Sequence, residues 1–393
     1  MRVSSIKLFV SIVFIGAVFT SSAQSLFVVP KATRLPQDSV VRLQLISSLN
    51  GLLAQKENNN SSNTYVLKEA LPETSALLDE MKGLEKSLAL KNDHFYQCYL
   101  TDVTPVGKGR YLLQISWMGV TEGEPILRAS FRLGALEQGG KFYFYSPLKQ
   151  NTAGWKTKQL GYITFHYRDT MDKAIARDYL NTVTLYDRKL TAPSQPIQYY
   201  YCDNFSAVQQ ALGLDYKQDY NGYTNDGLSA HEDNTGLVVD VRNDAQYHFD
   251  PHDLWHERLR QVMDRAIINK PVDEGCAYLY GGSWGIGWSA ILADFKKYAR
   301  ENPNADWLAI YTSDKNKAFG SVRGRPFIIG DAINALIVQK TEREKGFAPV
   351  MQLLGCGPVQ TGDDNYFAAL EKAAGIGKKN FNIRVWELIN NSK

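Results

Sequence analysis

The segment "YHFDPHDLWHERLRQVM", residues 247 to 263, holds three of the six histidines of the chain. Pro251 favours the first turn of a helix, and Asp250 before it is a typical N-cap residue. On such a helix His252 and His256 are four positions apart and lie on one face. Two imidazoles one turn apart can bind one zinc ion if a third protein ligand comes from elsewhere, and a fourth position then stays open for water.

A candidate for the third ligand follows in "INKPVDEGCAYLYGGSWG". Pro271 again suits a helix start, and Glu274 in the first turn lies eighteen positions after His256. That separation allows a helix, a turn and a second helix packed against the first, so Glu274 can point back at the two imidazoles. Asp273 is the alternative ligand, but it would face a different direction.

Each of these residues also has a plain structural interpretation. The two histidines could share a helix face by coincidence, and Glu274 could simply stabilise a helix N-terminus. His248 precedes the helix and is more typical of a strand end, while Glu257 points away from the histidine stripe as a surface acid. The sequence does not choose among four tyrosines that could stabilise an oxyanion: Tyr278, Tyr280, Tyr311 and Tyr366.

The elements before this region predict a first domain over residues 24–155. "DSVVRLQLISSLNGLLAQ" has apolar residues at helical spacing, and "LPETSALLDEMKGLEKSLAL" predicts a second helix. The pattern then alternates around Gly107-Lys108-Gly109 and around Gly139-Gly140, which predicts two hairpins. Helices followed by paired hairpins indicate an α+β domain with an antiparallel sheet. No polar constellation in it points to chemistry, so we expect an accessory role.

Residues 156–393 predict a second domain that carries the histidines. "YITFHY", "IQYYYC" and "LVVDV" are typical of strands, with a helix between the first two. The chain after the histidine segment is mostly helical in pattern. The predicted fold class is therefore α+β, with a mainly helical C-terminal lobe.

The pair "HDLWH" and "EGCAYLY" resembles the motifs of the gluzincin metallopeptidases, the thermolysin-like and aminopeptidase N-like enzymes of the peptidase MA superfamily. In that family HExxH is followed by a glutamate ligand, often in an EG-x-A-x-Y context. The resemblance covers about residues 160 to 393. The tail that starts "LLGCGPVQTGDD" also resembles the C-terminal helices of aminopeptidase-like exported proteins from Bacteroidota.

The resemblance implies a zincin-like catalytic domain in which His252, His256 and Glu274 bind Zn²⁺. It places Asp253 at the general-base position and implies hydrolysis of peptide bonds in a peptide or protein substrate through a zinc-activated water. It also implies a substrate-pairing strand, for which Gly227 to Ala230 is the candidate.

The sequence departs from the family at one residue, because Asp253 stands where the family has glutamate. Aspartate is one methylene shorter, and a misplacement of ~1 Å can cost ~10²-fold in rate. The alternative is therefore a catalytically weak or inactive zincin-scaffold binding protein, and a third possibility is a structural exported protein without metal.

The composition and the N-terminus indicate the partners and the location to expect for this protein. The net charge of +3 is dispersed, so no nucleic-acid partner is expected. "MRVSSIKLFVSIVFIGAVFTSSAQS" has the order of a signal peptide over residues 1–23, cleaved after Ala23, which predicts a periplasmic or secreted protein. No later segment is long and apolar enough to span a membrane. Four widely spaced cysteines leave disulfide pairing open.

Overall fold

The computed structural model describes residues 25–222, 227–241 and 249–392. Helices and strands are both abundant in it, so the chain has the predicted mixed α+β class. The predicted signal peptide over residues 1–23 and His248 lie outside the described residues. None of the helices in the described ranges combines the length and apolarity needed to cross a bilayer.

Thirteen α-helices occur in the described part of the chain: α1 (Ser39–Ala54), α2 (Leu71–Asp79), α3 (Leu148–Asn151), α4 (Lys173–Leu190), α5 (Phe205–Leu212), α6 (Pro251–Leu259), α7 (Lys270–Gly281), α8 (Trp288–Glu301), α9 (Trp307–Ser313), α10 (Ile329–Lys345), α11 (Ala348–Leu354), α12 (Asp364–Ala374) and α13 (Phe381–Asn391). The same ranges contain thirteen strands: β1 (Phe27–Val28), β2 (Gln97–Gly107), β3 (Arg110–Thr121), β4 (Glu124–Gln138), β5 (Lys141–Tyr145), β6 (Lys156–Leu160), β7 (Ile163–Tyr167), β8 (Ile197–Cys202), β9 (Leu214–Lys217), β10 (Gly227–Glu232), β11 (Thr235–Val241), β12 (Ala318–Val322) and β13 (Arg325–Ile328).

The first sheet is an antiparallel meander of β2, β3, β4 and β5. Its hairpins turn at Gly107–Arg110 and Gln138–Lys141, so both predicted hairpins are confirmed. β1 adds in parallel beside β2, and the apolar faces of α1 and α2 share one buried core with the sheet. The chain returns to this sheet later, because β9 pairs with β4.

The second sheet has the order β10-β11-β8-β7-β6, with β11, β8 and β7 parallel and the two outer strands antiparallel. Side chains alternate between its faces along β8. Tyr199 and Tyr201 belong to the core of the C-terminal helices, whereas Tyr200 and Cys202 belong to the core of the first sheet. This sheet therefore joins the two parts of the molecule, and β10 is one of its edges.

Two glycines of α7 let it pack closely against its neighbours. A Cβ atom at Gly275 would lie 2.4 Å from the Asn334 Cβ atom of α10. A Cβ atom at Gly281 would lie 2.4 Å from the backbone nitrogen of His252 at the start of α6. Since real Cβ atoms do not approach other atoms this closely, glycine is required at both positions for α7 to lie between α6 and α10.

Candidate metal centre

The helix α6 begins as the sequence predicts. The Asp250 carboxylate accepts a hydrogen bond of 2.9 Å from the backbone nitrogen of His252, and Pro251 occupies the first helical position. Trp255 and Leu259 are fully buried, so they anchor the helix to the core. His256 is buried and His252 is half-buried, which places both imidazoles at the interface with α7.

The structure brings His252, His256 and Glu274 together. The His252 Nε2 atom lies 3.2 Å from the His256 Nε2 atom and 3.3 Å from the Glu274 Oε2 atom. The His256 Nε2 atom lies 3.7 Å from the same oxygen. Zinc bonds of ~2.0–2.1 Å in tetrahedral geometry put ligand atoms about 3.3–3.4 Å apart. The three atoms therefore match three corners of a tetrahedral metal site, and the group can hold a metal ion.

The second nitrogen of each imidazole is occupied by an acceptor. The His252 Nδ1 atom lies 2.7 Å from the carbonyl oxygen of Gly282, and the His256 Nδ1 atom lies 2.8 Å from the Asp273 Oδ2 atom. The second contact is bent, because the ring N–H does not point straight at the oxygen. Both partners accept and cannot donate, so each neutral ring carries its proton on Nδ1. Each Nε2 atom then offers a lone pair toward Glu274, and three acceptors that face one another need a cation.

Asp273 lies behind the His256 ring as a supporting residue. Its Oδ1 atom also accepts a hydrogen bond of 3.1 Å from the Trp255 indole, and its side chain is buried. A carboxylate in this place fixes the tautomer and orientation of a ligating imidazole. Asp273 faces a different direction from Glu274, as predicted. The sequence did not predict that Asp273 positions the His256 ring. Its place beside Glu274, together with an indole donor next to His256, is the signal that could have indicated it.

The electrostatics of the group favour positive charge. Burial alone would lower the pKa of His256, but the Asp273 and Glu274 carboxylates outweigh it and raise that pKa to about 9. Burial opposes ionisation of Glu274 as well, yet the two imidazoles hold its pKa well below the usual range. Asp331, in the first turn of α10, has its pKa raised to about 8 by burial and by the nearby Glu274. A proton or a metal cation would relieve the same concentration of carboxylates.

Two acids on α6 occupy the side of the helix next to the ligands. Asp253 is exposed, and among the described residues no hydrogen bond or ion pair joins it to the three ligands. The sequence predicts that Glu257 is a surface acid. In the structure it is partly buried and accepts a hydrogen bond of 2.9 Å from Ser229 on β10. Burial raises the pKa of Glu257. The edge strand therefore contacts α6 directly.

Among the four candidate tyrosines, Tyr278 borders the centre. Its ring lies 5.9 Å from that of His252, and its hydroxyl accepts a hydrogen bond of 3.3 Å from the backbone nitrogen of Ile328. The other three point their hydroxyls into the helical core, where they bond to residues of α10: Tyr280 to Glu342, and Tyr311 and Tyr366 to Asn334. Of the four, Tyr278 is therefore the one whose ring lies beside a ligand histidine.

A scan of the chain against protein-family models gives no match, and a search of curated proteins finds no significant relative.

Proposed function

We propose that this chain is an exported zinc-dependent metallopeptidase-like protein of the gluzincin class that hydrolyses peptide bonds. The observation that carries the proposal is the convergence of three acceptor atoms from His252, His256 and Glu274 at tetrahedral spacing. The resemblance of "HDLWH" and the following Glu-Gly to the family motif supports the choice of reaction. The predicted signal peptide supports a periplasmic or secreted location.

The donor set fits zinc. Two imidazole nitrogens and one carboxylate oxygen form the ligand group of several catalytic zinc sites and leave one position free. The Gly282 carbonyl and the Asp273 carboxylate would hold the imidazoles in the ligating tautomer. When bound, zinc would act as a Lewis acid and would make water a better nucleophile at neutral pH.

Asp253 would take up the proton of the attacking water at its carboxylate. Its place directly after His252 puts it at the exposed rim of the ligand group, where substrate can reach it. A peptide could lie in extended form along β10, because β10 is an edge of the second sheet and contacts α6 through Ser229 and Glu257. Strand addition of this kind needs main-chain groups alone.

A second candidate function is a metal-binding protein without turnover. The observation that favours it is the aspartate at position 253, which is one methylene shorter than the glutamate of the family motif. Such a protein would keep the zincin scaffold to bind peptides or proteins. The two candidates share the metal centre and differ only in catalysis.

Zinc quantified in the purified protein at neutral pH tests the centre. We expect about one zinc per chain in the wild type and none in His252→Ala, because the loss of one of three ligands removes the tetrahedral arrangement. Wild-type protein without stoichiometric zinc would overturn both candidates.

A peptide library digested with and without chelator then tests turnover. Cleavage that chelator abolishes and zinc restores supports the peptidase. Asp253→Glu provides the sharper comparison, because the longer acid extends the carboxylate by ~1 Å or more toward the ligands. Activity gained by Asp253→Glu, from a wild type with none, would favour the silent binding protein.

A further inference from the structure

A cavity of about 280 Å³ lies beside the metal centre, between the C-terminal half of α6 and the hairpin of β10 and β11. Ser229 and Glu257 close one wall through their hydrogen bond. The other polar lining residues include His231 of β10 and, from α6 and the segment after it, Arg258, Arg260, Gln261 and Arg265. The cavity is thus built from elements that are fixed on both sides by the core.

The lining is positively charged. Arg258 is fully buried and paired with Asp187 at 2.6 Å, so its charge is neutralised within the fold. Arg260 and Arg265 form no ion pair within the described residues, and Glu257 contributes the single negative charge of the lining. Two guanidinium groups without an ion pair, against one carboxylate, give the lining itself a net charge of about +1, which favours an anionic ligand.

The cavity flanks α6, the helix that carries two of the metal ligands. Its lining includes Leu254 and Glu257, which stand on either side of His256 in the sequence. Arg260, in the turn that follows the helix, is within electrostatic range of Asp273 beside the centre and of Glu257 in the cavity. One helix therefore contributes residues to both the metal centre and the cavity.

We propose that this cavity binds a carboxylate of a peptide through Arg260 and Arg265. Guanidinium groups match carboxylates through paired, charge-assisted hydrogen bonds. The carboxylate can be the C-terminus of the peptide or an acidic side chain, and both present the same group. The proposal that a carboxylate binds here rests on the residues of the cavity alone. That the bound peptide is also a substrate rests on the proposed peptidase function.

Calorimetric titration of chelator-treated protein tests the binding, since that protein cannot turn over a peptide by a metal-dependent reaction. The probes are three acetylated five-residue peptides: all-alanine with a free C-terminus, all-alanine with a C-terminal amide, and the amide with glutamate at the third position. We expect the free carboxylate to improve affinity about tenfold or more over the plain amide, because hydrogen bonds to charged groups are the stronger ones. The glutamate peptide shows whether a side-chain carboxylate serves as well as a C-terminus.

Arg260→Gln and Arg265→Gln should each remove most of this preference. Arg177→Gln is the matched control, because Arg177 is an exposed arginine of α4 outside the cavity. Thermal unfolding confirms that each variant is folded. Equal binding of the carboxylate and plain amide peptides, no binding of any of them, or a preference unchanged in Arg260→Gln would overturn the proposal. A carboxylate preference without zinc-dependent cleavage would overturn the peptidase alone, and cleavage without the preference would overturn the cavity alone.

Discussion

Asp273→Asn should weaken zinc binding although Asp273 is not a ligand. The carboxylate accepts a hydrogen bond of 3.1 Å from the Trp255 indole and lies in an ion-pair contact, at 2.8 Å, with the His256 Nδ1 atom. Asparagine has one acceptor oxygen and one amide donor. If the oxygen faces Trp255, the amide donates to Nδ1 and moves the proton of the ring to Nε2. That proton then blocks the lone pair that would bind the metal.

If the asparagine oxygen faces His256 instead, the amide and the buried indole are two opposed donors. The His256 ring keeps its ligating tautomer in this arrangement. It no longer has a negatively charged carboxylate beside it, which would strengthen it as a ligand. Either arrangement therefore lowers affinity. Loss of such a supporting carboxylate typically costs 10–100-fold in metal affinity, which corresponds to ~1.4–2.7 kcal/mol.

Competition with a chromophoric chelator at fixed pH measures the change. Asp253→Asn is the control, because it removes the same charge from an exposed position beside His252. We expect that control to change zinc affinity by no more than a few-fold, since solvent screens an exposed charge. The reasoning fails if Asp273→Asn stays folded and binds zinc as tightly as the wild type, or if both variants lose affinity equally.

Three further predictions concern pH and packing. Burial opposes the charge on His256, but the two carboxylates raise its pKa to about 9, so zinc binding must displace a proton from it. The apparent zinc affinity should therefore rise about tenfold per pH unit from pH 7 toward 9. A zinc affinity independent of pH in this range would contradict the assignment. Gly281→Ala should lower the free energy of unfolding by ~1–3 kcal/mol and weaken zinc binding, because the added Cβ atom meets the backbone of α6. Gly154→Ala is the control: Gly154 has open space around it, so this change should affect neither stability nor zinc binding. Arg258→Ala should lower the free energy of unfolding by ~3–5 kcal/mol, measured by chemical denaturation, because it leaves the buried Asp187 carboxylate without its ion pair. Arg258→Met combined with Asp187→Leu should recover most of this loss. A mild effect of the single change would show that water reaches Asp187.

The ligand group could be predicted from the sequence because local rules determine it. A capping aspartate and a proline fix where α6 begins, and four-residue spacing then puts two histidines on one face. The second helix begins at Lys270, with Pro271 in its first turn but without a side-chain cap. With both helix starts fixed, a separation of eighteen residues leaves little freedom in where Glu274 points.

Features that depend on contacts distant in sequence could not be predicted in this way. The partial burial of Glu257 requires β10 to lie against α6, and β10 is placed by its pairing with β11. The return of β9 to pair with β4 joins segments that no local pattern connects. The support of His256 by Asp273 depends on the angle at which α6 and α7 cross. The close approach of the two helices occurs at Gly281, and a glycine in a sequence does not reveal what it contacts.

The number of ligands bears on which kind of metal site this is. Structural zinc sites are closed by four protein ligands, whereas sites that act on a substrate keep one position open. Within the described residues the group contains three ligands and no fourth histidine, cysteine or acid. The contact between α6 and α7 is supported by the buried Trp255, its bond to Asp273 and the close approach at Gly281. A centre with three protein ligands among the described residues fits the proposed function, in which it binds or activates an external molecule.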